Sequence, residues 1–256
     1  DSCDVPAPYN RQPTILSDSR LFGVSSTFEH ALSGDGKVLA GGAYASLENK
    51  GSVLVWERSS HASPFDDASV YQLSTATVEG TADLGYSLAL NGDGTVLVAG
   101  RGGNVPAVLV WQRSTTDASF LAVAPETLTC PNAGDTGAFG SSVALNAAGT
   151  FLAVGASYTD NYKGAVYTYH RSSVAQSFTA VTPFTIVDAT LPQWSRLGFS
   201  ISVSDDATVV ASGAFQYSDT YGNQGAVVVL QRSSPAASFD LNDLAVLKDP
   251  SVSGGD

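Results

Sequence analysis

The sequence is poor in the residues that usually carry out chemistry. It has no methionine, two cysteines and three histidines among 256 residues. So few nucleophiles and metal ligands make most classes of enzyme a poor fit. Lysine and arginine total 12 against 24 acidic residues, which gives a net charge of −12. This charge disfavours binding to nucleic acid and to anionic membranes, because both require a basic surface.

Long apolar runs are also missing. No stretch approaches the roughly 20 apolar residues that span a bilayer, so we expect no membrane insertion. The chain opens at Asp1 without a signal peptide, and the lack of methionine fits a mature chain or part of a longer one. The low lysine content, the many hydroxyl residues and the acidic charge favour an extracellular or cell-surface location.

The two cysteines leave two interpretations open. Cys3 and Cys130 are disulfide candidates, within one chain or between two chains. The alternative is a pair of unrelated thiols.

A polar loop recurs four times in one register. Each copy begins with an arginine and two hydroxyl residues, and a phenylalanine follows the arginine by seven positions. The copies begin at Arg58, Arg113, Arg171 and Arg232, which are 55, 58 and 61 residues apart. Four copies with this spacing indicate an internal repeat.

Each repeat predicts four short β-strands. Asp35-Gly36 and Asp93-Gly94 lie between apolar runs and are strong hairpin signals. A third run leads into each arginine loop and a fourth follows it, and none shows helical periodicity. The predicted fourth strands are Val70–Leu73, Leu121–Val123, Phe178–Ile186 and Leu244–Leu247. Four-stranded units at this period are typical of a β-propeller, in which each unit is one blade.

We therefore predict an all-β fold with four four-stranded antiparallel blades. The blades are expected at about 21–78, 79–133, 134–190 and 191–250, with the start of a further repeat at 251–256. Residues 1–20 form an N-terminal segment with an expected closing or edge strand at 13–16. The large aromatics of the outer strands should fill the core between blades rather than form a ligand cage. These aromatics are Trp56, Trp111, Tyr169 and Phe178.

Glycine motifs at the start of the first strands resemble the FG-GAP repeat, the blade of integrin α-subunit propellers and of many secreted proteins. The copies are Phe139-Gly140-Ser141-Ser142, Leu197-Gly198-Phe199-Ser200 and Leu84-Gly85-Tyr86-Ser87, and Phe22-Gly23 departs most from the pattern. The resemblance implies an extracellular propeller that usually closes with seven blades. The four blades here would then belong to a larger ring or to an assembly.

The resemblance also raises the question of calcium, which integrin-type blades bind through an acidic hairpin. The corresponding hairpins here carry only one or two acids, at Asp35, Asp93 and Asp205-Asp206. That is too few oxygen ligands for a dedicated calcium site. Weak calcium candidates remain in the longer loops, at Asp160, Asn161, Asp219 and Asn223. We expect no other metal and no cofactor.

The sequence gives no catalytic constellation, and we predict a protein that is not an enzyme. His30, His61 and His170 fall at unrelated places in the repeat. The Gly-x-Ser-x-Gly motif of serine hydrolases does not occur. Paired acids such as Asp66-Asp67 lie on predicted turns, where aspartate is favoured for backbone reasons.

The arginine loops admit two interpretations. Their hydroxyls could carry O-linked sugars, or contact a glycan or a neighbouring subunit. Alternatively, serine and threonine serve as turn residues, the arginine packs over an aromatic ring, and the phenylalanine returns to the blade. The candidate hydroxyl positions are Ser59, Ser60, Ser114, Thr115, Ser172, Ser173, Ser233 and Ser234.

We predict a non-catalytic extracellular structural or adhesion module, a subunit of or domain in a larger assembly. Its expected partners are other protein subunits, extracellular matrix or glycans. A glycan-binding propeller is the alternative, and it requires exposed aromatic platforms between blades. The candidates for such platforms are Trp194, Tyr158, Tyr162, Tyr217 and Tyr221. A carbohydrate-active enzyme, or its accessory domain, ranks last because it requires a cleft with clustered acids.

Overall fold

The computed structural model describes residues 29–74, 82–219 and 222–248. These residues form four antiparallel sheets of four strands each and one two-stranded hairpin. Within each sheet the strands pair in chain order. The predicted all-β propeller of four four-stranded blades is therefore confirmed. The expected edge strand at 13–16 and the expected further repeat at 251–256 lie outside the described residues.

The blades follow one another along the chain. Blade 1 contains β1 (His30–Leu32), β2 (Val38–Gly42), β3 (Ser52–Glu57) and β4 (Ser69–Ser74). Blade 2 contains β5 (Leu84–Leu90), β6 (Val96–Arg101), β7 (Ala107–Gln112) and β8 (Glu126–Leu128). Blade 3 contains β9 (Phe139–Leu145), β10 (Phe151–Ala156), β11 (Ala165–His170) and β12 (Phe184–Ile186). Blade 4 contains β13 (Leu197–Val203), β14 (Val209–Ala214), β17 (Ala226–Gln231) and β18 (Ala245–Leu247).

Short elements occupy some of the connections. The hairpin of β15 (Ser218–Asp219) and β16 (Gly222–Asn223) lies between β14 and β17. Two four-residue helical turns, α1 (Ser46–Asn49) and α2 (Thr159–Tyr162), join the second and third strands of blades 1 and 3. No helix in the described ranges is long and apolar enough to cross a bilayer.

The fourth strands of blades 2 and 3 begin later than predicted. Phe120–Ala122 and Phe178–Ala180 are single turns of 3₁₀-helix, and β8 and β12 follow them. The hydroxyl of the preceding serine, Ser119 or Ser177, accepts a hydrogen bond from the backbone N–H two residues later. This local bond closes a turn where a strand was expected. The predictions of strand at 121–123 and from residue 178 are therefore wrong.

The loops of every blade emerge at two opposite faces, because successive strands run in opposite directions. We call one the arginine face. It carries the four arginine loops and the turns between first and second strands. We call the other the groove face. It carries the loops between second and third strands and the linkers between blades.

Neighbouring blades approach each other most closely at glycine pairs. A Cβ atom on Gly42, Gly100 or Gly155 would lie 2.0 Å from a glycine carbonyl oxygen of the next blade. The glycines that supply these oxygens are Gly85, Gly140 and Gly198. These pairs include the motif glycines noted in the sequence, so their physical role is close packing of backbones between blades.

Hydrogen bonds repeat at the same interfaces. The Ser87 hydroxyl donates to the carbonyl oxygen of Gly140 at 2.8 Å, and the Ser142 hydroxyl donates to that of Gly198 at 2.7 Å. The first strands β1, β5, β9 and β13 pack on one another in this order. They line a cavity of about 400 Å³, which we call the axial cavity, with residues from all four blades.

The hydrophobic core lies between blades. Three buried clusters join blade 1 to blade 2, blade 2 to blade 3, and blade 3 to blade 4. Trp111, Tyr169 and Phe178 are buried in these clusters or at their edge, and Trp56 is also buried. The prediction of a core between blades is confirmed for Trp111, Tyr169 and Phe178, whereas Trp56 is buried outside the three clusters.

Candidate functional site

The four arginine loops are built alike. Each arginine stacks on the phenylalanine seven positions later, with its guanidinium carbon 4.1–4.7 Å from the ring centre. In Arg171, Nε donates to the Gly149 carbonyl at 2.9 Å and Nη1 donates to the Gln176 carbonyl at 2.9 Å. The other three arginines repeat both bonds. For the arginine and the phenylalanine, the structural interpretation is therefore confirmed.

The candidate hydroxyls of the same loops point toward solvent. Ser59, Ser114, Thr115, Ser172, Ser173, Ser233 and Ser234 are exposed, and Ser60 is half-buried. A modifying enzyme or a partner could reach them without disturbing the arginine below. Their modification stays a prediction.

The weak calcium candidates lie in two separate loops of the groove face. Asp160 and Asn161 are in α2, where the Asp160 carboxylate lies 3.8 Å from Lys163 Nζ. Asp219 and Asn223 are in the β15–β16 hairpin, and their side chains are not among those described. Within the described ranges no group of three or more histidine, cysteine or acidic side chains is arranged so that it could hold a metal ion.

Cys130 is buried, and its thiol lies 3.8 Å from the Tyr167 hydroxyl and 3.8 Å from the Asp135 carbonyl oxygen. Its candidate partner, Cys3, lies outside the described residues. His30 and His61 are exposed, far apart in the repeat. The pKa of His170 is lowered by burial and by the neighbouring charge of Arg232. Asp66 and Asp67 lie in a 3₁₀ turn.

A large groove opens on the groove face, beside one end of the axial cavity. Its volume is about 930 Å³, which is within the range of natural ligand sites. Three blades contribute to it through loops and linkers. The lining includes the 102–106 loop of blade 2, the linker at 135–138, residues of α2 in blade 3, and Arg196 with Phe199 at the start of blade 4.

Aromatic rings in and beside this groove contact one another. Tyr162 and Trp194 stack nearly parallel, with centroids 4.3 Å apart and an interplanar angle of 10°. Tyr158 meets Tyr162 edge to face at 5.4 Å. The guanidinium of Arg196 lies 4.6 Å from the ring centre of Tyr158 and 5.3 Å from that of Tyr162. We call these four side chains the aromatic platform.

The described part of the chain exposes six aromatic side chains, and all lie at or beside this groove. They are Tyr86, Tyr158, Tyr162, Trp194, Phe199 and Phe215. Exposed apolar surface concentrated in one place is a mark of an interaction site. Of the platform candidates from the sequence, Tyr217 is buried, and Tyr221 lies outside the described residues.

The backbone holds the aromatic platform in an unusual conformation. Tyr162, Trp194 and Arg196 have φ values of 67°, 74° and 58°, in the left-handed region that large side chains rarely adopt. The Arg196 N–H donates to the Tyr162 carbonyl at 2.9 Å, so linker and α2 are joined. Positive φ values recur at the equivalents of Tyr162 and Arg196 in other blades, at Asn49, Asp83 and Ala138, so this backbone conformation belongs largely to the repeat.

Charge in the groove is nearly balanced. Asp135 is the one carboxylate and Arg196 the one cation among the described residues that line it. The Asp135 carboxylate accepts a hydrogen bond from the Asp160 N–H at 2.6 Å. Burial raises the pKa of Asp83, which precedes β5 on the same face.

The outer face of blade 4 lacks the contacts that join the other blades. Val166 and Ile186 of blade 3 are 0% and 2% exposed because blade 4 covers them. Their equivalents by strand register, Val227 and Leu247, are 43% and 57% exposed. A Cβ on Gly213 would meet no residue of another blade, only Ser200 Oγ at 2.5 Å.

The chain is similar to TolB from Acinetobacter baumannii, with a TM-score of 0.49 and 15% sequence identity. The match covers 87% of this chain and 43% of TolB, so the chain spans less than half the length of that protein. No family model matches the sequence, and no curated protein matches it.

Sequence reasoning found part of the groove and missed the rest. Trp194, Tyr158 and Tyr162 were predicted as platform residues, and the structure brings them together. Arg196, Tyr86, Phe199 and Phe215 were not predicted as platform residues, although Tyr86 and Phe199 belong to the glycine motifs. The sequence does contain a signal for two of them, because Phe199 and Phe215 occupy the positions of the smaller Ser141 and Ser157 of the preceding repeat.

Proposed function

We propose that this chain is a non-catalytic extracellular structural or adhesion module of FG-GAP type, a subunit of or domain in a larger assembly. The observation that supports assembly most is the uncovered outer face of blade 4. The face carries Val227 and Leu247 in positions that every earlier interface buries. Ser200 and Gly213 are placed like the serines and glycines that join blades 1 to 4. An apolar face with this register fits a further surface of the same kind.

Light scattering across a range of protein concentrations tests this proposal. We expect self-association that Val227→Asp with Leu247→Asp abolishes, because two carboxylates on the face would be buried on assembly. Leu121→Asp is the control, since Leu121 is 61% exposed, close to the 57% of Leu247, but lies on the arginine face. A wild-type chain that stays monomeric throughout, with scattering like that of the double variant, contradicts the assembly proposal.

A catalytic role fits the groove poorly. Glycoside hydrolysis requires two carboxylates across a cleft. Asp135 is the only carboxylate among the described residues that line the groove. This supports the proposal of a protein that binds without catalysis.

Glycan binding is a second candidate function, and the aromatic platform is the observation that favours it. Trp194 stacks on Tyr162 and remains 48% exposed. An aromatic ring held open to solvent presents an apolar face that a flat ligand can cover. A glycan array with the wild-type chain tests this function directly, and an array without hits would remove it.

A further inference from the structure

The ligand class follows from three properties of the groove and of the aromatic platform beside it, in which Tyr158, Tyr162 and Arg196 line the groove and Trp194 lies next to Tyr162. The first is the rigid aromatic platform. Trp194 stacks on Tyr162, and the Arg196 guanidinium packs over the rings of both Tyr158 and Tyr162. The rings therefore support each other and lose little freedom when a ligand arrives. A pyranose ring has one face made mostly of C–H groups, and such a face packs well on a fixed aromatic ring.

The second property is the supply of free polar groups. Asn104 and Asn161 line the groove, and their side-chain amides make no hydrogen bond within the described residues. The half-buried Ser141 also lines the groove, and its hydroxyl makes only long contacts, 3.5 Å to the Gly155 carbonyl oxygen and 3.3 Å to the hydroxyl of the buried Ser157. Amides and hydroxyls both donate and accept, as sugar hydroxyls do. These side chains can therefore form hydrogen bonds with the hydroxyl groups of a sugar ring.

The third property is charge. One guanidinium and one carboxylate line the groove, and the Asp83 carboxylate lies beside Gly102 of the lining, so the groove carries no excess of positive charge. The chain as a whole carries a net charge of −12. That field lowers the local concentration of anions, including sulfated or carboxylated sugars. A ligand with many hydroxyls and no charge suits both the lining and the field.

We infer that the groove binds neutral oligosaccharides, with one pyranose ring stacked on the exposed ring of Trp194 at the edge of the groove and its hydroxyls directed toward the amides and hydroxyls of blades 2 and 3. This inference rests on glycan binding, the second candidate function. It adds the site and the ligand class.

Tryptophan fluorescence provides a direct readout of this site. Trp56 and Trp111 are 9% and 3% exposed, whereas Trp194 is 48% exposed. Iodide quenching of the described tryptophans therefore reports mainly on Trp194. The probes are a panel of neutral oligosaccharides and a matched panel of sialylated, uronic and sulfated ones, first on an array and then in solution. We expect neutral glycans to bind, to protect Trp194 from iodide and to shift its emission to shorter wavelength.

Variants assign the binding to the platform. Trp194→Ala should weaken binding about tenfold or more, because it removes an exposed aromatic anchor. Trp194→Phe keeps a ring and should retain part of the affinity, which separates loss of stacking from loss of folding. Tyr158→Ala tests the platform independently. Leu121→Ala, exposed on the arginine face, is the control and should bind like the wild type. Melting curves of all variants establish that each is folded.

The outcomes distinguish the inference from the function beneath it. The inference is supported if neutral glycans bind the wild type and Leu121→Ala but not Trp194→Ala. Binding confined to acidic glycans overturns the ligand class and leaves glycan binding intact. Binding of neutral glycans that neither Trp194→Ala nor Tyr158→Ala weakens overturns the site. An array without any hit overturns both the inference and glycan binding, while the scattering test of assembly stands apart.

Discussion

The arginine face and the groove face use the same pair of side chains, an arginine over an aromatic ring, in opposite ways. On the arginine face the pair recurs in every blade, and Arg171 is 1% exposed with two hydrogen bonds to backbone carbonyls. On the groove face Arg196 is half-buried, and it stacks on rings that are themselves exposed. The equivalent positions before the first strands of blades 2 and 3 hold Asp83 and Ala138, so neither repeats the arginine. In this chain, what repeats is structural, and what departs from the repeat is the candidate site.

The largest expected difference in stability loss is between alanine substitutions of two phenylalanines. Phe178 lies under Arg171 and is 0% exposed, whereas Phe199 lies at the groove and is 47% exposed. We expect Phe178→Ala to lower the free energy of unfolding by about 4 kcal/mol and Phe199→Ala by about 1 kcal/mol or less. Urea denaturation of both variants measures the difference. Equal losses would show that the groove face is also part of the core.

The second largest difference in stability loss is expected between substitutions of Arg171 and Arg196. Arg171→Met leaves the Gly149 and Gln176 carbonyls without a donor, and we expect a loss of about 3 kcal/mol. Arg196→Met keeps most apolar contact with the rings and should cost about 1 kcal/mol or less. Thermal and urea unfolding of the pair provide the measurement. If Arg196→Met were the more damaging change, the division between the two faces would be wrong.

We expect one aspartate on each face to affect the stability of the folded chain with opposite sign. Asp206, in a turn of the arginine face, accepts bonds from Ser204 and Thr208, which lower its pKa to about 2. A carboxyl pKa below its unfolded value of 3.8 stabilises the folded chain above pH 4, and this stabilisation is lost as the pH falls toward 2. Asp83, on the groove face, has its pKa raised by burial, so its charge destabilises the folded chain near neutral pH.

At pH 7 we therefore expect Asp206→Asn to lower the melting temperature and Asp83→Asn to raise it, each by a few degrees. The difference between Asp206→Asn and wild type should disappear as the pH approaches 2. Asp205→Asn is the control for the turn, since the Asp205 side chain makes no hydrogen bond within the described ranges. Shifts of the same sign for Asp206→Asn and Asp83→Asn would contradict the assignment.

The smallest expected effect concerns the exposed hydroxyls. If the arginine face carries O-linked sugars at Ser114, Thr115 and their equivalents, intact mass of native material should show hexose additions. Enzymatic removal should leave the melting temperature unchanged within about 1 °C, because no hydroxyl of this set is buried. Native material without added hexose removes this proposal and leaves the structural role of the arginines untouched.

The sequence predicted the fold well because the fold is periodic. Four copies of one loop and of one hairpin turn set the register, and the repeated glycines mark where backbones meet. The errors lie where local side-chain bonds outweigh strand propensity. Ser119 and Ser177 each close a 3₁₀ turn, and single-residue propensity does not report such a bond.

The site was less predictable because it is assembled from linkers outside the periodic core. Arg196 and Trp194 lie two positions apart, yet both adopt left-handed backbone conformations that direct them to rings of the previous blade. Tyr217 has the same residue type as Tyr158 but is buried beside Lys248. Residue type alone does not separate an exposed ring from a covered one when loop lengths differ between blades.

The serine and glycine contacts between successive blades also distribute mechanical load unevenly along the described chain. Blades 2 and 3 are held on both sides, by bonds such as Ser87 to Gly140 and Ser142 to Gly198, whereas blades 1 and 4 are each held by one neighbouring blade. Under a pulling force we expect the outer blades to separate before the inner ones. A neighbour docked on blade 4 would convert the same stack into a clamp that shares the load across all of its sheets.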